Sequence, residues 1–195
     1  MTTNTVVLPS GLFLTPDFIT IDEERELISW LAQQEWSTEL SRRTQHYGYQ
    51  YNYTSRSVQP TVPLTGPLLQ LQQKFGTAGH NLTQCIVNEY YRAQGIAPHI
   101  DLNIFGPVII GVSLGADTVM SFERPTGSGV ESFDCFLPRR SLLMLTGEAR
   151  SHWKHGISKK VTYRDEYDNK ITKAADYHRI SCTFRSVIDN SHASW

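Results

Sequence analysis

NEYYRAQGIAPHID, Asn88 to Asp101, is the stretch whose reading decides the fold. It divides at Gly95 into two extended runs, a polar strand entered at Asn88 and a second strand that reaches His99-Ile100-Asp101. Side chains at i and i+2 of an extended segment point to the same side of a sheet, so His99 and Asp101 are placed to hold one metal ion. An imidazole and a carboxylate need a third ligand, and His155 in SHWKHGI supplies the right type. Two histidines and one carboxylate form the facial set that leaves three positions open on Fe(II).

A second signal lies far downstream. Arg179-Ile-Ser-Cys-Thr-Phe-Arg185 alternates polar and apolar residues, so Arg179, Ser181, Thr183 and Arg185 share one strand face, opposite Ile180, Cys182 and Phe184. Two guanidinium groups with hydroxyls between them and no acid in the strand suit an anionic guest, and a dicarboxylate fits because each fork holds a carboxylate bidentately.

The rest of the chain fits around these strands. Leu12 to Phe18 reads as a strand and turn. Thr20 and Glu23 form a capping box opening a helix that buries Leu27, Ile28 and Leu31, with Glu24, Arg25 and Gln33 expected on its other side. Thr65-Gly-Pro67 starts a second helix with Leu68, Leu71 and Phe75 at helical spacing and Gly76 as its stop. Beyond it come QCIVNEYY, PVIIGVSLG, DTVMSFERP, SFDCFLP, SLLMLTG and HRISCTFRSVI, short strands rich in branched and aromatic residues and broken by Gly or Pro. The class is mainly β with N-terminal helices (α+β). Ligands on different strands of such a chain point to a double-stranded β-helix, or jelly roll, with the metal at one mouth.

Residues 41–53, SRRTQHYGYQYNY, place Tyr47, Tyr49, Tyr51 and Tyr53 at period two, preceded by Arg42, Arg43 and His46. One extended strand would turn the four rings to one face, where they could stack bases while the arginines meet phosphates. The mixed-charge segment 158–178, with a turn at Asp168-Asn169, reads as a surface hairpin whose Lys159, Lys160 and Arg164 could meet a nucleic-acid backbone.

Taken together, Asn88-x-Tyr90, His99-x-Asp101, His155 and Arg-x-Ser-x-Thr-x-Arg, in this order, resemble the AlkB family of Fe(II)- and 2-oxoglutarate-dependent dioxygenases over residues 10–187. The Gly-Glu-x-Arg run before His155 and the serine at 181 are most similar to the branch that contains the tRNA wobble-uridine hydroxylases; the prototype has asparagine where Ser181 stands. The resemblance implies Fe(II) on His99, Asp101 and His155, with 2-oxoglutarate and O2 as co-substrates. It assigns Asn88 and Arg185 to the C1 carboxylate, Tyr90, Arg179 and Ser181 to the distal carboxylate, and residues 41–60 to a nucleotide-recognition lid; from the period-two strip, Arg42, Arg43, Tyr47, Tyr49 and Tyr51 are the residues expected to touch substrate. The activity it implies first is oxidative demethylation of N-alkylated bases such as 1-methyladenine or 3-methylcytosine in DNA or RNA. The alternatives are hydroxylation of a modified wobble uridine in tRNA, a dioxygenase of protein or small molecules, or a jelly roll that only binds a ligand.

Composition sets bounds. The chain of 195 residues suits one domain, and a net charge of −1 excludes a globally basic nucleic-acid binder, so such binding rests on local patches. Cys85, Cys135 and Cys182 fit neither a disulfide framework nor a zinc spacing and read as core residues of a reducing compartment. The start MTTNTVVLPSGLF has neither a basic region nor a long apolar run. The expectation is a monomer, cytoplasmic or nuclear, with no membrane partner.

Overall fold

The computed structural model describes residues 9–52, 57–76 and 81–188. In chain order the elements are β1 (Leu12–Thr15), α1 (Ile21–Ala32), β2 (Arg43–Tyr47), β3 (Tyr49–Asn52), β4 (Ser57–Pro60), α2 (Gly66–Gln73), β5 (Gln84–Tyr91) and β6 (Ile96–His99). They continue as β7 (Phe105–Leu114), β8 (Thr118–Thr126), β9 (Gly129–Leu137), β10 (Leu142–Leu145), α3 (Gly147–Ser151), β11 (Lys154–Ile157), β12 (Thr162–Arg164), β13 (Lys170–Thr172) and β14 (His178–Val187).

A six-stranded sheet in the order β1-β10-β7-β14-β5-β2 faces a four-stranded sheet in the order β6-β11-β8-β9, and both are antiparallel throughout. This is the expected jelly roll. β14 lies between β5 and β7, with Ser181 opposite both Asn88 and Ser113. Its alternation is realised as written: Ile180, Cys182 and Phe184 join a core with Cys85, Val87, Ile110 and Val112. Leu27 and Leu31 of α1 and Leu68 and Leu71 of α2 close that core from outside, each fully buried leucine contributing about 2 kcal/mol. Ile109, Leu143, Phe122 and Leu137 form a second core.

α1 opens with the full capping box, Thr20 and Glu23 each taking the other's backbone N–H. Glu24, expected on the solvent side, is fully buried. It accepts a bond from Gly115 N–H at 2.8 Å and pairs with Arg139, a partner 115 residues away. Within GEARSHWKHGI an unforeseen short helix, α3, precedes β11. The 158–178 segment forms the expected hairpin, β12 against β13, with Asp168 in the left-handed region at its turn. The three cysteines are free and buried. Among the described residues no helix is long and apolar enough to cross a membrane.

The tyrosine segment differs from expectation. Gly48, at φ +74°, breaks it into two strands: β2 continues the main sheet beside β5, while β3 pairs only with β4. A Cβ at position 48 would lie 1.8 Å from the Thr83 carbonyl oxygen, so only glycine allows this corner.

Candidate active site

β6 ends at His99, and Asp101 sits just past the strand in the loop before β7, not within the strand as read from sequence. The site still closes, because β11 runs antiparallel to β6 with His155 opposite His99. The nitrogen and oxygen donors of His99, Asp101 and His155 all lie within 4.8 Å of one another. His99 Nδ1 is 2.9 Å from the Ala97 carbonyl oxygen, to which it donates as an N–H, leaving Nε2 for a cation. His155 Nε2 is 3.6 Å from Asp101 Oδ2. Burial pushes His155 down to about 4, so its imidazole is neutral at pH 7. Burial alone would raise the Asp101 carboxyl, but the Arg185 guanidinium, followed by the two imidazoles, holds it below its ordinary value. An anionic carboxylate beside the neutral imidazole of His155 and the Nε2 of His99 makes a donor set suited to a divalent cation.

Two arginines brace this centre. Arg185 donates from Nη1 to Asp101 Oδ1 at 2.7 Å and from Nε to Gln84 Oε1 at 2.8 Å, its guanidinium lying over the Phe105 ring. Buried Arg150 of α3 donates to four carbonyls of the loop that carries Asp101: those of Asp101, Leu102, Phe105 and Gly106, at 2.9, 2.9, 3.1 and 3.3 Å. Neither Gln84 nor Arg150 was singled out for a role from sequence. The Gly-Glu-x-Arg run was the only signal for Arg150, and its carbonyl partners lie more than forty residues upstream.

Arg179 is 2% exposed. Its Nη2 donates to Ser113 Oγ at 2.9 Å, while Nε and Nη1 have no partner. The Tyr90 ring has the Arg179 guanidinium 5.4 Å and the Arg42 guanidinium 5.9 Å from its centroid. A buried guanidinium with two idle donors fits a carboxylate guest. Arg179, Ser181 and Thr183 line a void of about 50 Å³ that reaches His155. Asn88 is buried, its Oδ1 taking Arg42 Nε at 2.7 Å.

On the open side of the triad lies a cavity of about 540 Å³. Arg42, His46, Tyr51, Ile96, Phe105 and Arg185 are among its walls. His46 is a further residue here, half-buried, with Nδ1 unpartnered.

The aromatic strip is therefore corrected. Tyr47 is 5% exposed, its ring tilted against Trp30 in the helix-side core with its hydroxyl on Gln45. Tyr49 is half-buried on β3 and does not line the cavity, Tyr51 does, and Tyr53 lies outside the described residues. Arg43, in register with Glu89, turns to the helix side, where it pairs with Glu89 and lies 5.0 Å over Trp36. Neighbouring residues of a strand face opposite ways, so of the arginine pair only Arg42 reaches the cavity.

Fold and site together define a non-haem iron oxygenase, and the 2OG-Fe(II) oxygenase superfamily matches residues 13–185; the chain belongs to that superfamily. Its relatives include members of the AlkB family. A Xenopus tropicalis tRNA (carboxymethyluridine(34)-5-O)-methyltransferase, alkbh8, is 36% identical over 166 residues, 77% of this chain and 26% of the relative. An Arabidopsis thaliana alkylated DNA repair protein ALKBH8 homolog is 34% identical, covering 91% of this chain and 58% of its own length. The chain thus spans between a quarter and three fifths of these two relatives. The mimivirus protein L905 is 32% identical across 92% of this chain and 86% of its own. Among solved structures OsALKBH1 superposes with a TM-score of 0.64 at 15% identity, covering 92% of this chain and all of that one, which speaks for the fold. The expected enzyme class, an Fe(II)- and 2-oxoglutarate-dependent dioxygenase using O2, agrees with this membership and with the triad.

Proposed function

We propose that this protein hydroxylates a carbon on the C5 side chain of a modified wobble uridine in tRNA. The observation that carries the reading is the charge of the cavity beside the triad. Among the described residues its only carboxylate is Asp101, already held by Arg185, whereas the Arg42 guanidinium faces the space, joined by His46, whose imidazole burial holds in the neutral form. A base that is cationic near neutral pH, as 1-methyladenine and 3-methylcytosine are, would meet positive charge and no free acid there. A neutral or anionic uridine bearing a carboxymethyl-type group is better matched, and carboxymethyluridine 34 stands in the name of the amphibian relative.

His99, Asp101 and His155 would hold Fe(II), which with 2-oxoglutarate and O2 supplies the oxidising chemistry, yielding succinate, CO2 and an oxygen atom inserted into a substrate C–H bond. This chain's own groups bind and orient. Arg179, with Tyr90 and Ser181, takes the distal carboxylate of 2-oxoglutarate, satisfying the idle Nε and Nη1 donors. Burial raises the Tyr90 hydroxyl despite the two nearby guanidinium groups, so it stays a neutral donor. Asn88 and the Nη2 of Arg185 face the other carboxylate. Tyr51 stacks on the base and Arg42 meets its acidic substituent, while the apolar wall of Ile86, Ile96 and Phe105 excludes water from the reacting carbon. The described residues act as one catalytic unit.

Oxidative demethylation is the second reading, favoured by relatives such as a Danio rerio probable RNA/DNA demethylase, ALKBH6, 26% identical over 76% of this chain. There the hydroxylated N-methyl group leaves as formaldehyde. One experiment separates the two: tRNA carrying carboxymethyl-type uridine, and an oligonucleotide carrying 1-methyladenine, are each incubated with Fe(II), 2-oxoglutarate and ascorbate under air, beside His99→Ala. A nucleoside heavier by one oxygen, without formaldehyde, supports the proposal. Formaldehyde from the methylated strand alone replaces it with demethylation. Succinate formation stimulated by neither substrate removes nucleic acid as the target.

A further inference from the structure

Outside the active site, the hairpin β12–β13 folds over the outer face of β8 and β11 and encloses a groove of about 500 Å³. Among the described residues, Lys160, Arg164, Lys170 and Lys173 line it with one acid, Asp134. Arg164 is partly engaged, Nη1 donating to the Asp168 carbonyl at 2.7 Å with the Asp168 carboxylate at 3.1 Å. Among the described residues, Lys160, Lys170 and Lys173 have no carboxylate within salt-bridge reach. Lys173 is the informative one. It is 5% exposed and faces the groove, its ammonium resting 4.8 Å over the Tyr177 ring. Burial of its stem and the nearby Arg179 guanidinium lower the Lys173 pKa, and an ammonium that opens on the groove without a carboxylate partner favours an anionic guest there. In a chain of net charge −1 this is a concentrated positive patch.

Position gives the patch a partner. Ile157, on the groove wall, is paired in register with Ile96, which lines the cavity beside the triad. The groove and the cavity thus border the same strand pair. A nucleic-acid strand with one base in the cavity would carry its flanking phosphates around the β6–β11 edge towards the lysines.

We infer that this groove binds the phosphodiester backbone of the RNA next to the target nucleotide, through Lys160, Lys170 and Lys173. The inference rests on nucleic acid being the substrate, but not on which base is modified. Phosphate contacts position the strand and carry no sequence information.

The test uses the full chain and unmodified oligouridine, which has no reactive base, so failure of the wobble-uridine reading leaves its result untouched. The exposed pair Lys160→Gln and Lys170→Gln is compared with a control pair, Arg25→Gln and Lys74→Gln, that removes the same net charge on α1 and just beyond α2. Losing two phosphate contacts should weaken binding about tenfold near 0.1 M salt and reduce the slope of log K against log salt by about 1.4. The control pair should stay within about twofold of wild type by the same counterion argument. Substrate-free succinate formation should be unchanged in both. Equal binding by the groove variant and wild type, or equal losses in groove and control variants, would overturn the inference. So would thermal stabilisation by inorganic phosphate that vanishes in the groove variant while oligouridine binding stays intact, because the groove would then be a small-anion site.

Discussion

Arg179→Met should lose co-substrate binding while leaving the ligand-free protein as stable as wild type, or more so. The guanidinium is 2% exposed, with one donor on Ser113 and two donors idle. Taking a charge out of water costs several kcal/mol even after relaxation. Against this stand one charge-assisted bond, worth about 1.5–3 kcal/mol, and the Tyr90 ring, worth about 1–2 kcal/mol. These terms nearly cancel, and methionine fills similar space without the penalty. The expected change in ligand-free stability is therefore between zero and about 2 kcal/mol of gain, or up to roughly 6 °C in Tm for a domain of this size. In the wild type, 2-oxoglutarate would satisfy both idle donors through charge-assisted bonds, so removing them should weaken its binding by about 3–4 kcal/mol, roughly a hundred- to a thousandfold. Thermal melts with and without 2-oxoglutarate, together with anaerobic titration of the Fe(II) form, read both quantities. A variant melting well below wild type in the absence of ligand, yet binding 2-oxoglutarate normally, would refute the view that Arg179 is held in readiness for an anion.

Three further outcomes follow from contacts elsewhere. Arg150→Met removes the donor shared by four carbonyls and should cost about 3 kcal/mol in urea unfolding and weaken Fe(II) binding, since the Asp101 loop loses its brace; an unchanged unfolding midpoint would count against that bracing role. Burial alone would raise Glu89, but its bonds to Arg43 and His178 outweigh this and hold its carboxyl below the ordinary value. Its contribution is thus present above about pH 4.5 and lost as pH falls through the depressed value, so Glu89→Gln should cost about 1–3 kcal/mol at pH 7, with the difference from wild type closing in acid unfolding below pH 4. Gly48→Ala forces a Cβ against the Thr83 carbonyl at a positive φ and should cost about 3 kcal/mol or more while raising the KM for nucleic acid, because the corner carries the strand of Tyr51; a melt within 2 °C of wild type would show that the corner relaxes freely.

What the sequence disclosed follows from how local each signal is. The two faces of β14 and the capping box of α1 depend on spacing within one element, and both appear as read. The ligand triad was legible because the chemistry of the residues narrows the choice, even though Asp101 lies beyond the end of its strand. Glu24 failed because its burial is decided by Arg139 and the Gly115 amide, which no helical period reveals. The tyrosine strip departs from its period at one glycine: Gly48, at positive φ, leaves Tyr47 on the core side and starts another strand at Tyr49, so period two does not run through it. The same parity separates Arg42 from Arg43. Gln84 and Arg150 carried no local signal, since their partners are fixed by the packing of distant strands.

The place of β14 has a consequence for how the molecule is made. The main sheet consists of β1-β10-β7 on one side and β5-β2 on the other, and only β14 joins them. Until residues 178–187 have been synthesised, the two halves present open edges on either side of a one-strand gap, and neither Arg179 nor Arg185 exists to meet an anion. Closure of the sheet and completion of the co-substrate site are then one event, a late, non-local insertion of the kind that makes folding slow and leaves unpaired edges exposed to aggregation. Supplying 2-oxoglutarate and iron during refolding would act on that last step and on none before it.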